Sequence, residues 1–353
     1  MPTGNGSSSL SQNQFFKLHS PLSLSNAVRA HSHSPSPEAK PASAGWTAES
    51  KYMNAHVYEQ ITDRIIKLLT QGTVPWQKPW KAATSLPRNL ISQKPYRGIN
   101  VFLLLAMSYE SPFWLTFRQA LQLGGNIRKG EKSCPVVFWK QSTVDDKETG
   151  EPQKLLLARY YHVFNVAQCD GLKINPAPAV ETVNAIVHPD EIIAHMPQRP
   201  VIKHGMAQAF YAPREDYVGL PSRERFEKAE GYYATVFHEL VHATGHESRL
   251  NRATLTEKAG FGSNPYCKEE LIAEMGAAFL CGHAEIAERT IDNSAAYLKH
   301  WLEQLKNDRT LIMSAAAQAQ KAADFILGNG PEDVAVKIST IATPPPLVEE
   351  VCA

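Results

Sequence analysis

The sequence predicts an α+β protein of two domains, an N-terminal α/β module with a long β-hairpin and a mainly helical C-terminal domain. Apolar side chains recur at helical spacing in 57–69. Two strand-like runs, 135–141 and 155–166, flank a polar segment and predict the two arms of the hairpin. Long helical patterns follow at 223–244 and 268–279. A chain of 353 residues is long enough to bury a core in each domain.

Shorter patterns predict the remaining elements. In chain order they are a buried helix at 99–107, a strand at 114–117, a helix at 118–123, a helix at 187–194, two short strands within 208–220, and two helices within 295–327. The chain therefore divides into a leader (1–52), an N-terminal domain (53–170), a linker (171–185), a C-terminal domain (186–330) and a flexible tail (331–353). The leader is rich in Ser and Pro, which predicts disorder, and translation starting at Met53 is an alternative.

Composition excludes several classes of protein. The formal net charge is +1, and no run of 18 apolar residues is present, so we expect no membrane span. The leader lacks the apolar core of a secretory signal. Five scattered cysteines without CxxC spacing indicate a reducing compartment and no cysteine-built zinc site. We therefore expect a cytoplasmic protein.

The segment 235–246 contains an HExxH pattern within apolar flanks. His238 and His242 lie four residues apart, so on a helix both imidazoles project from one face and suit two ligands of one Zn²⁺. Glu239 is placed to act as general base. Two hydrogen-bonded histidines without a metal are the alternative, but Gly245 is suited to the position that ends a helix, and acids that could supply a third ligand follow downstream.

The third metal ligand is predicted in the helix at 268–279. Its acids Glu270 and Glu274 share one apolar-flanked face. This resembles the gluzincin arrangement, which implies Glu270 as ligand and Glu274 as the acid that orients a histidine. Glu269 is the main rival, because the sequence does not fix the helix phase. His246 lies ~12 Å from His238 along a continuous helix and is disfavoured.

Positive charge and aromatic residues are interleaved in 51–170. By count this region holds about 16 Lys/Arg against about 9 Asp/Glu. Cations that neutralise phosphate and rings that stack on bases are typical of single-stranded DNA surfaces. Buried aromatics beneath a solvated charged face are the alternative. The candidate DNA-binding residues are Trp76, Lys78, Trp80, Arg97, Arg118, Arg128, Lys129 and Lys132.

Both regions resemble one protein family. The N-terminal part, including VYEQITDRIIKLLTQGTVPWQKPW, is similar to the single-stranded-DNA-binding domain of ArdC-type antirestriction proteins, which also opens TraC-type plasmid primases. The C-terminal part, including YYATVFHELVHATGHESRL and EELIAEMGAAFL, resembles the zincin-like metallopeptidase domain of the same proteins. The resemblance spans about residues 53–330. It implies a protein of conjugative or mobile elements that shields incoming DNA from restriction, with one Zn²⁺ per chain.

Two classes of function remain open from the sequence. The protein is either a zinc-dependent endopeptidase with a protein substrate, or a DNA-coating protein whose metal is mainly structural. A primase-associated role is a weaker third. A strand within 216–220 is expected to pair with an extended peptide substrate. The oxyanion-stabilising residue stays open among Tyr232, Tyr233 and His283.

Overall fold

The structure, a computed structural model, describes residues 48–76, 86–145, 152–173, 188–256, 264–286 and 295–329. Over these ranges, the N-terminal half contains α1 Ala48–Thr70, β1 Arg88–Asn89, α2 Ile99–Leu105, β2 Phe113–Thr116, α3 Phe117–Gln122, β3 Asn126–Ile127, β4 Cys134–Asp145, β5 Pro152–Asn165 and β6 Cys169–Asp170. The C-terminal half contains α4 Pro189–His195, β7 Val201–His204, β8 Phe210–Ala212, β9 Tyr217–Leu220, α5 Ala229–Thr244, α6 Ala253–Thr256, α7 Asn264–His283, α8 Ala295–Asn307 and α9 Leu311–Ile326. No helix in the described ranges has the length and apolarity that crossing a membrane requires.

β4 and β5 form the predicted long hairpin. They pair antiparallel in one continuous register, from Cys134 opposite Val163 to Asp145 opposite Pro152. β5 also pairs with β2, and β2 with β1, which gives a four-stranded sheet of order β1-β2-β5-β4. Residues 142–145 and 152–153 of the polar segment assigned to the loop therefore continue the two strands, and β4 forms one edge of the sheet.

The outer edge of β4 is attached to α2 by one buried side chain. Asn100 accepts a hydrogen bond from the Val137 N–H at 2.7 Å and donates one to the Val137 carbonyl at 2.7 Å. Unpaired backbone groups on an edge strand are ready to pair with other chains. The Asn100 side-chain amide pairs with both backbone groups of Val137 and so attaches the hairpin to α2.

The second main sheet has the order β7-β9-β8. β7 runs parallel to β9, and β8 runs antiparallel to it. The expectation that 216–220 pairs with a substrate peptide is therefore wrong, because β9 already has a strand on each side. Among the described strands, the edges of this sheet are β8 and β7, a strand that the sequence did not predict.

One hydrophobic core runs through both halves. Phe102 of α2 stacks on Phe279 of α7, with ring centroids 4.7 Å apart. The ring of Trp76 meets Trp301 of α8 edge-on at 5.5 Å. Aromatic pairs of this kind add to the free energy that burial of the rings already supplies. The two halves therefore stabilise each other directly.

Polar contacts reinforce this junction. Thr62 donates to the Arg309 carbonyl at 2.6 Å. Arg97 forms an ion pair with Asp324 of α9. Because the core is continuous, removal of α7 to α9 would expose the apolar face of α2. We therefore do not expect residues 53–170 to fold alone, which differs from the separable module that the linker indicated.

Candidate metal centre and nucleic-acid face

The HExxH motif lies on α5, which is buried along most of its length. α7 crosses it closely at Gly276, where a Cβ atom would lie 2.7 Å from Cγ2 of Val241. Only a residue without a side chain permits that approach. The close crossing brings the carboxylate of Glu270 on α7 against the histidines of α5.

His238, His242 and Glu270 form the one three-donor cluster of this kind within the described ranges, with ligand atoms within 4.8 Å of one another. The two Nε2 atoms are 3.1 Å apart. The Glu270 carboxylate oxygens lie 3.6 Å from His238 Nε2 and 3.6 Å from His242 Nε2. A tetrahedral ion with ligands at ~2.1 Å holds them about 3.4 Å apart. The three side chains therefore fit a single divalent cation.

Acidic groups surround the buried His238 ring. Burial favours its neutral form, but the neighbouring acids outweigh this and raise the pKa of His238 to about 9. The acids are Glu270, by hydrogen bond and charge, and Glu239 and Glu274, by charge. Both Glu239 and Glu274 are buried. The cluster therefore attracts positive charge strongly.

Glu269, the rival for third ligand, lies behind the cluster. Its carboxylate Oε1 is 3.4 Å from Nδ1 of His242, on the side of the ring away from Nε2. Arg252 reaches the same carboxylate with two nitrogens. Burial alone would raise the pKa of Glu269, yet the hydrogen bonds and charges of His242 and Arg252 lower it to about 2. Sequence reasoning missed Arg252, because it lies in a segment without a recognisable pattern.

We expect the metal-free protein to lose stability in acid through Glu269. Its folded-state pKa of about 2 lies below the ordinary 4.5. The stabilising contribution is therefore complete above about pH 4.5 and is lost as the pH falls towards 2. Its size is on the order of 3 kcal/mol. Urea unfolding at several pH values should show a shallower loss for Glu269→Gln than for wild type. The exposed acid change Glu303→Gln is the control, and equal pH slopes in all three proteins would contradict the assignment.

The hydroxyls of the two tyrosines considered for oxyanion stabilisation bond to residues outside the metal cluster. Tyr232 shares a hydrogen bond of 2.9 Å with Nε2 of His204 on β7. Tyr233 donates to Asp190 at 2.8 Å. His283 lies thirteen positions beyond Glu270 on α7, or ~20 Å along the helix axis. The bonds of both tyrosine hydroxyls point towards β7 and α4, so none of the three candidates is favoured.

His246, the disfavoured ligand, follows the end of α5. Its Nδ1 lies 2.8 Å from the Ser248 hydroxyl. It does not belong to the three-donor cluster.

The predicted DNA-binding residues divide into three groups. The prediction that Trp76 offers an exposed ring is wrong, because the side chain is 1% exposed and packs in the shared core. Lys78 and Trp80 lie outside the described residues. The remaining cations are Arg97, Arg118, Arg128, Lys129 and Lys132.

The remaining cations differ in their partners. Arg118, Lys129 and Lys132 are exposed. Arg128 forms ion pairs with Glu131 at 2.9 Å and Asp170 at 3.3 Å, so part of its charge is already neutralised. The Arg97 side chain is 43% exposed although it contacts Asp324.

Exposed aromatic rings lie on the base of the hairpin instead. Phe138, Trp139, Tyr160 and Tyr161 are 43%, 42%, 37% and 44% exposed. The ring of Phe138 contacts Tyr161 at 5.5 Å and Tyr96 at 6.3 Å. Phe138 was not singled out from the sequence, because a strand of alternating residues does not reveal which face is covered. Successive residues of a strand point to opposite faces, so Phe138 and Tyr161 lie on one face of the hairpin and Trp139 and Tyr160 on the other. We refer to the contacting pair Phe138 and Tyr161 as the hairpin aromatic patch.

Comparison with known proteins assigns both halves. Residues 55–164 match the model of the N-terminal domain of anti-restriction factor ArdC. Residues 189–318 match that of a zincin-like metallopeptidase. Among curated proteins, the Escherichia coli DNA primase TraC is 37% identical over 292 residues, which cover 76% of this chain and 27% of the primase. The chain thus spans about a quarter of that relative's length.

Two further similarities cover nearly the whole of the relatives. Uncharacterized protein y4eC of Sinorhizobium fredii is 34% identical over 284 residues, 76% of this chain and 91% of that protein. The crystal structures of antirestriction protein ArdC from the R388 plasmid, metal-free and Mn(II)-bound, share 37% identity and a TM-score of 0.62, and the match covers 77% of this chain and 97% of ArdC. The mixed α+β fold of this chain matches that of ArdC, and the two matched domains follow one another along the chain. The chain therefore belongs to the ArdC family of antirestriction proteins.

Proposed function

We propose that this protein binds single-stranded DNA of an incoming mobile element, protects it from restriction, and carries a metallopeptidase site with one divalent ion. The observation that carries the peptidase assignment is the spacing of His238, His242 and Glu270, which matches the edges of a tetrahedral ligand shell. Zn²⁺ suits two imidazoles and one carboxylate. Mn²⁺ is the alternative that the Mn(II)-bound relative supports.

The residues of the site have distinct roles in peptide hydrolysis. A divalent ion held by the three-donor cluster would supply Lewis acidity for the scissile carbonyl and for a water molecule. Glu239 follows the first histidine directly and is buried beside it. Its carboxylate takes the proton of the attacking water and then delivers it to the departing amine. The buried surroundings exclude bulk water from this proton transfer.

An extended peptide would pair with β8. This strand is bonded only to β9 among the described strands, and it packs against α5, the helix that carries Glu239. Its direction is antiparallel to β9. Addition of a peptide to a free strand edge uses backbone hydrogen bonds and tolerates many side chains. This supports a protein substrate without specifying its sequence.

The hairpin aromatic patch supports the DNA-binding role. The exposed rings of Phe138 and Tyr161 give unpaired bases a surface for stacking, which is tolerant of sequence because every base has a π-face. Arg118, Lys129 and Lys132 are exposed cations of the same half and are available to phosphates. Arg97 follows Tyr96, whose ring contacts Phe138, so a phosphate near the patch would compete with Asp324 for this guanidinium.

The DNA-binding role is tested on the full chain, since both halves share one core. Phe138→Ala and Tyr161→Ala should each weaken binding of a single-stranded oligonucleotide by roughly 5- to 150-fold, because stacking contributes ~1–3 kcal/mol per base. Wild-type affinity should fall steeply with salt as phosphate neutralisation releases counterions. Fluorescence anisotropy with single-stranded and duplex probes measures both effects.

A matched control removes exposed apolar surface elsewhere. Ile91 is 48% exposed and follows β1, at the opposite edge of the sheet from β4. Ile91→Ala should keep wild-type affinity. Three results would count against a stacking surface on the hairpin. They are equal affinity for single-stranded and duplex DNA, a dissociation constant that does not change with salt, and a loss of DNA affinity in Ile91→Ala as large as in Phe138→Ala or Tyr161→Ala.

A DNA-coating protein with a structural metal is the second candidate. The proposed ligands join α5 to α7 inside the core, and an ion that bridges two packed helices contributes folding free energy whether or not it turns over substrate. Primase activity is not part of the proposal, since the chain matches only 27% of TraC. The activity of the Glu239→Gln variant distinguishes the two candidates.

A further inference from the structure

We infer that Glu269 and Arg252 form a positioning pair that fixes the His242 ring for metal binding. The inference rests on the proposed metal site and assigns two residues that the metal does not touch. Both residues are buried: Glu269 is 4% exposed and Arg252 is 5% exposed. A buried carboxylate and a buried guanidinium are retained together only when each compensates the charge of the other.

Glu269 faces one ring nitrogen of His242, and Arg252 and Thr254 hold its carboxylate there. Its Oε1 faces His242 Nδ1 at 3.4 Å. Its Oε2 accepts from the Thr254 hydroxyl at 2.5 Å and from Nε of Arg252 at 3.1 Å. When Nδ1–H donates to a carboxylate, the tautomer is fixed and the lone pair of Nε2 is free for a metal. His242 Nε2 is the atom that faces Glu270.

Arg252 connects this carboxylate to the end of the metal-binding helix. It donates to the Thr244 hydroxyl at 2.6 Å and to the Val241 carbonyl at 2.8 Å, so it satisfies groups at the C-terminus of α5. Gly245 makes room for it, because a Cβ there would lie 2.9 Å from an Arg252 nitrogen. The guanidinium therefore holds α5, α7 and the His242 carboxylate partner in one arrangement.

The sequence pattern assigned this orienting role to neither Glu269 nor Arg252. Glu274 was predicted to orient a histidine, and in the structure its charge acts on His238. Glu269 directly precedes the proposed ligand Glu270, and its carboxylate faces the ring of His242. Adjacent acids on one helix point about 100° apart, so one can face the metal while the other passes behind His242.

The test is the dissociation constant of Zn²⁺, measured on the full chain by competition with a chromophoric chelator. Glu269→Ala should weaken Zn²⁺ binding by about 10- to 100-fold, the usual effect of removing such a partner. Arg252→Ala should weaken it similarly. In the double variant the two losses should not add, because Arg252 acts through Glu269. Should either alanine variant fail to fold, Glu269→Gln and Arg252→Lys, which keep the volume, replace them.

Arg249→Ala is the control for a merely structural role. It removes another buried guanidinium that bonds the end of α5, at the Ala243 carbonyl, and its ion pair with Asp216, while the contacts of His242 with Glu269 and Glu270 stay in place. It should lower the stability of the metal-free protein while Zn²⁺ affinity stays within about threefold of wild type. Wild-type affinity in Glu269→Ala, additive losses in the double variant, or an equal affinity loss in Arg249→Ala would each overturn the inference. A wild-type protein that binds no Zn²⁺ would instead refute the proposed function.

Discussion

His238→Ala and Glu270→Ala are each expected to purify without stoichiometric metal. Each change removes one of three donors from the cluster, and a tetrahedral ion cannot keep its affinity with two protein ligands. The loss should exceed about 100-fold, since even partners outside the ligand shell cost 10- to 100-fold when removed. Elemental analysis of the purified proteins, followed by Zn²⁺ titration, measures it directly.

The effect of Zn²⁺ on the thermal unfolding temperature is a second test of the same ligand assignment. An ion at 1,000 times its dissociation constant stabilises the folded state by ~4 kcal/mol, so added Zn²⁺ should raise the Tm of wild type but not of either variant. His246→Ala is the matched control. It removes the next histidine at the same four-residue step, whose ring nitrogen faces Ser248 rather than the cluster. Full metal content in both His238→Ala and Glu270→Ala would refute the ligand assignment.

The sequence was sufficient for the helices and for the hairpin because their patterns are local. Apolar spacing predicted α7 within 268–279, and the structure extends it to Asn264–His283. The same reasoning predicted two helices within 295–327, and the structure has α8 and α9 there. Alternation predicted both hairpin strands, although pairing continues into the segment assigned to the loop. Periodicity therefore identified the elements, and cooperative strand pairing determined their ends.

The sequence was insufficient where long-range contacts decide. Trp76 follows a glycine-containing turn among prolines, which indicated an exposed ring, but a cavity completed by Trp301 from α8 buries it. The role of Glu269 depends on Arg252, which reaches it from outside the helix. The middle position of β9 depends on β7, a strand too short to give a pattern. Each of these outcomes requires a partner that is distant in sequence.

The shared core bears on whether DNA binding and the metal site act independently. α2 lies between them: its Asn100 bonds the edge of the hairpin, and its Phe102 stacks on α7. A change that distorts α7 can therefore reach the hairpin through packed side chains. A substitution that keeps the side-chain volume and the fold should leave the hairpin unchanged. An isosteric change at Glu239 therefore separates the peptidase activity from DNA binding most cleanly.

Glu239→Gln should keep metal, fold and DNA affinity while lowering peptidase turnover by ~10²–10⁴-fold, the usual effect of removing a general base. Glu239 is not a member of the three-donor cluster, and glutamine fills nearly the same volume. Hydrolysis of a generic unfolded protein such as casein, metal content and oligonucleotide affinity should be measured on one preparation. Unchanged turnover with intact metal would show that Glu239 is not the base.

The same variant decides how antirestriction works. We expect Glu239→Gln to protect incoming DNA in a conjugation assay into a restricting host, and the double change Phe138→Ala/Tyr161→Ala to lose protection. A protein that coats DNA obstructs a restriction enzyme stoichiometrically, without turnover. A protease would have to recognise that enzyme, and β8, a short edge strand among the described strands, offers backbone groups of low sequence selectivity. If Glu239→Gln abolishes protection while metal content and DNA affinity stay normal, proteolysis is the mechanism and the coating model is wrong.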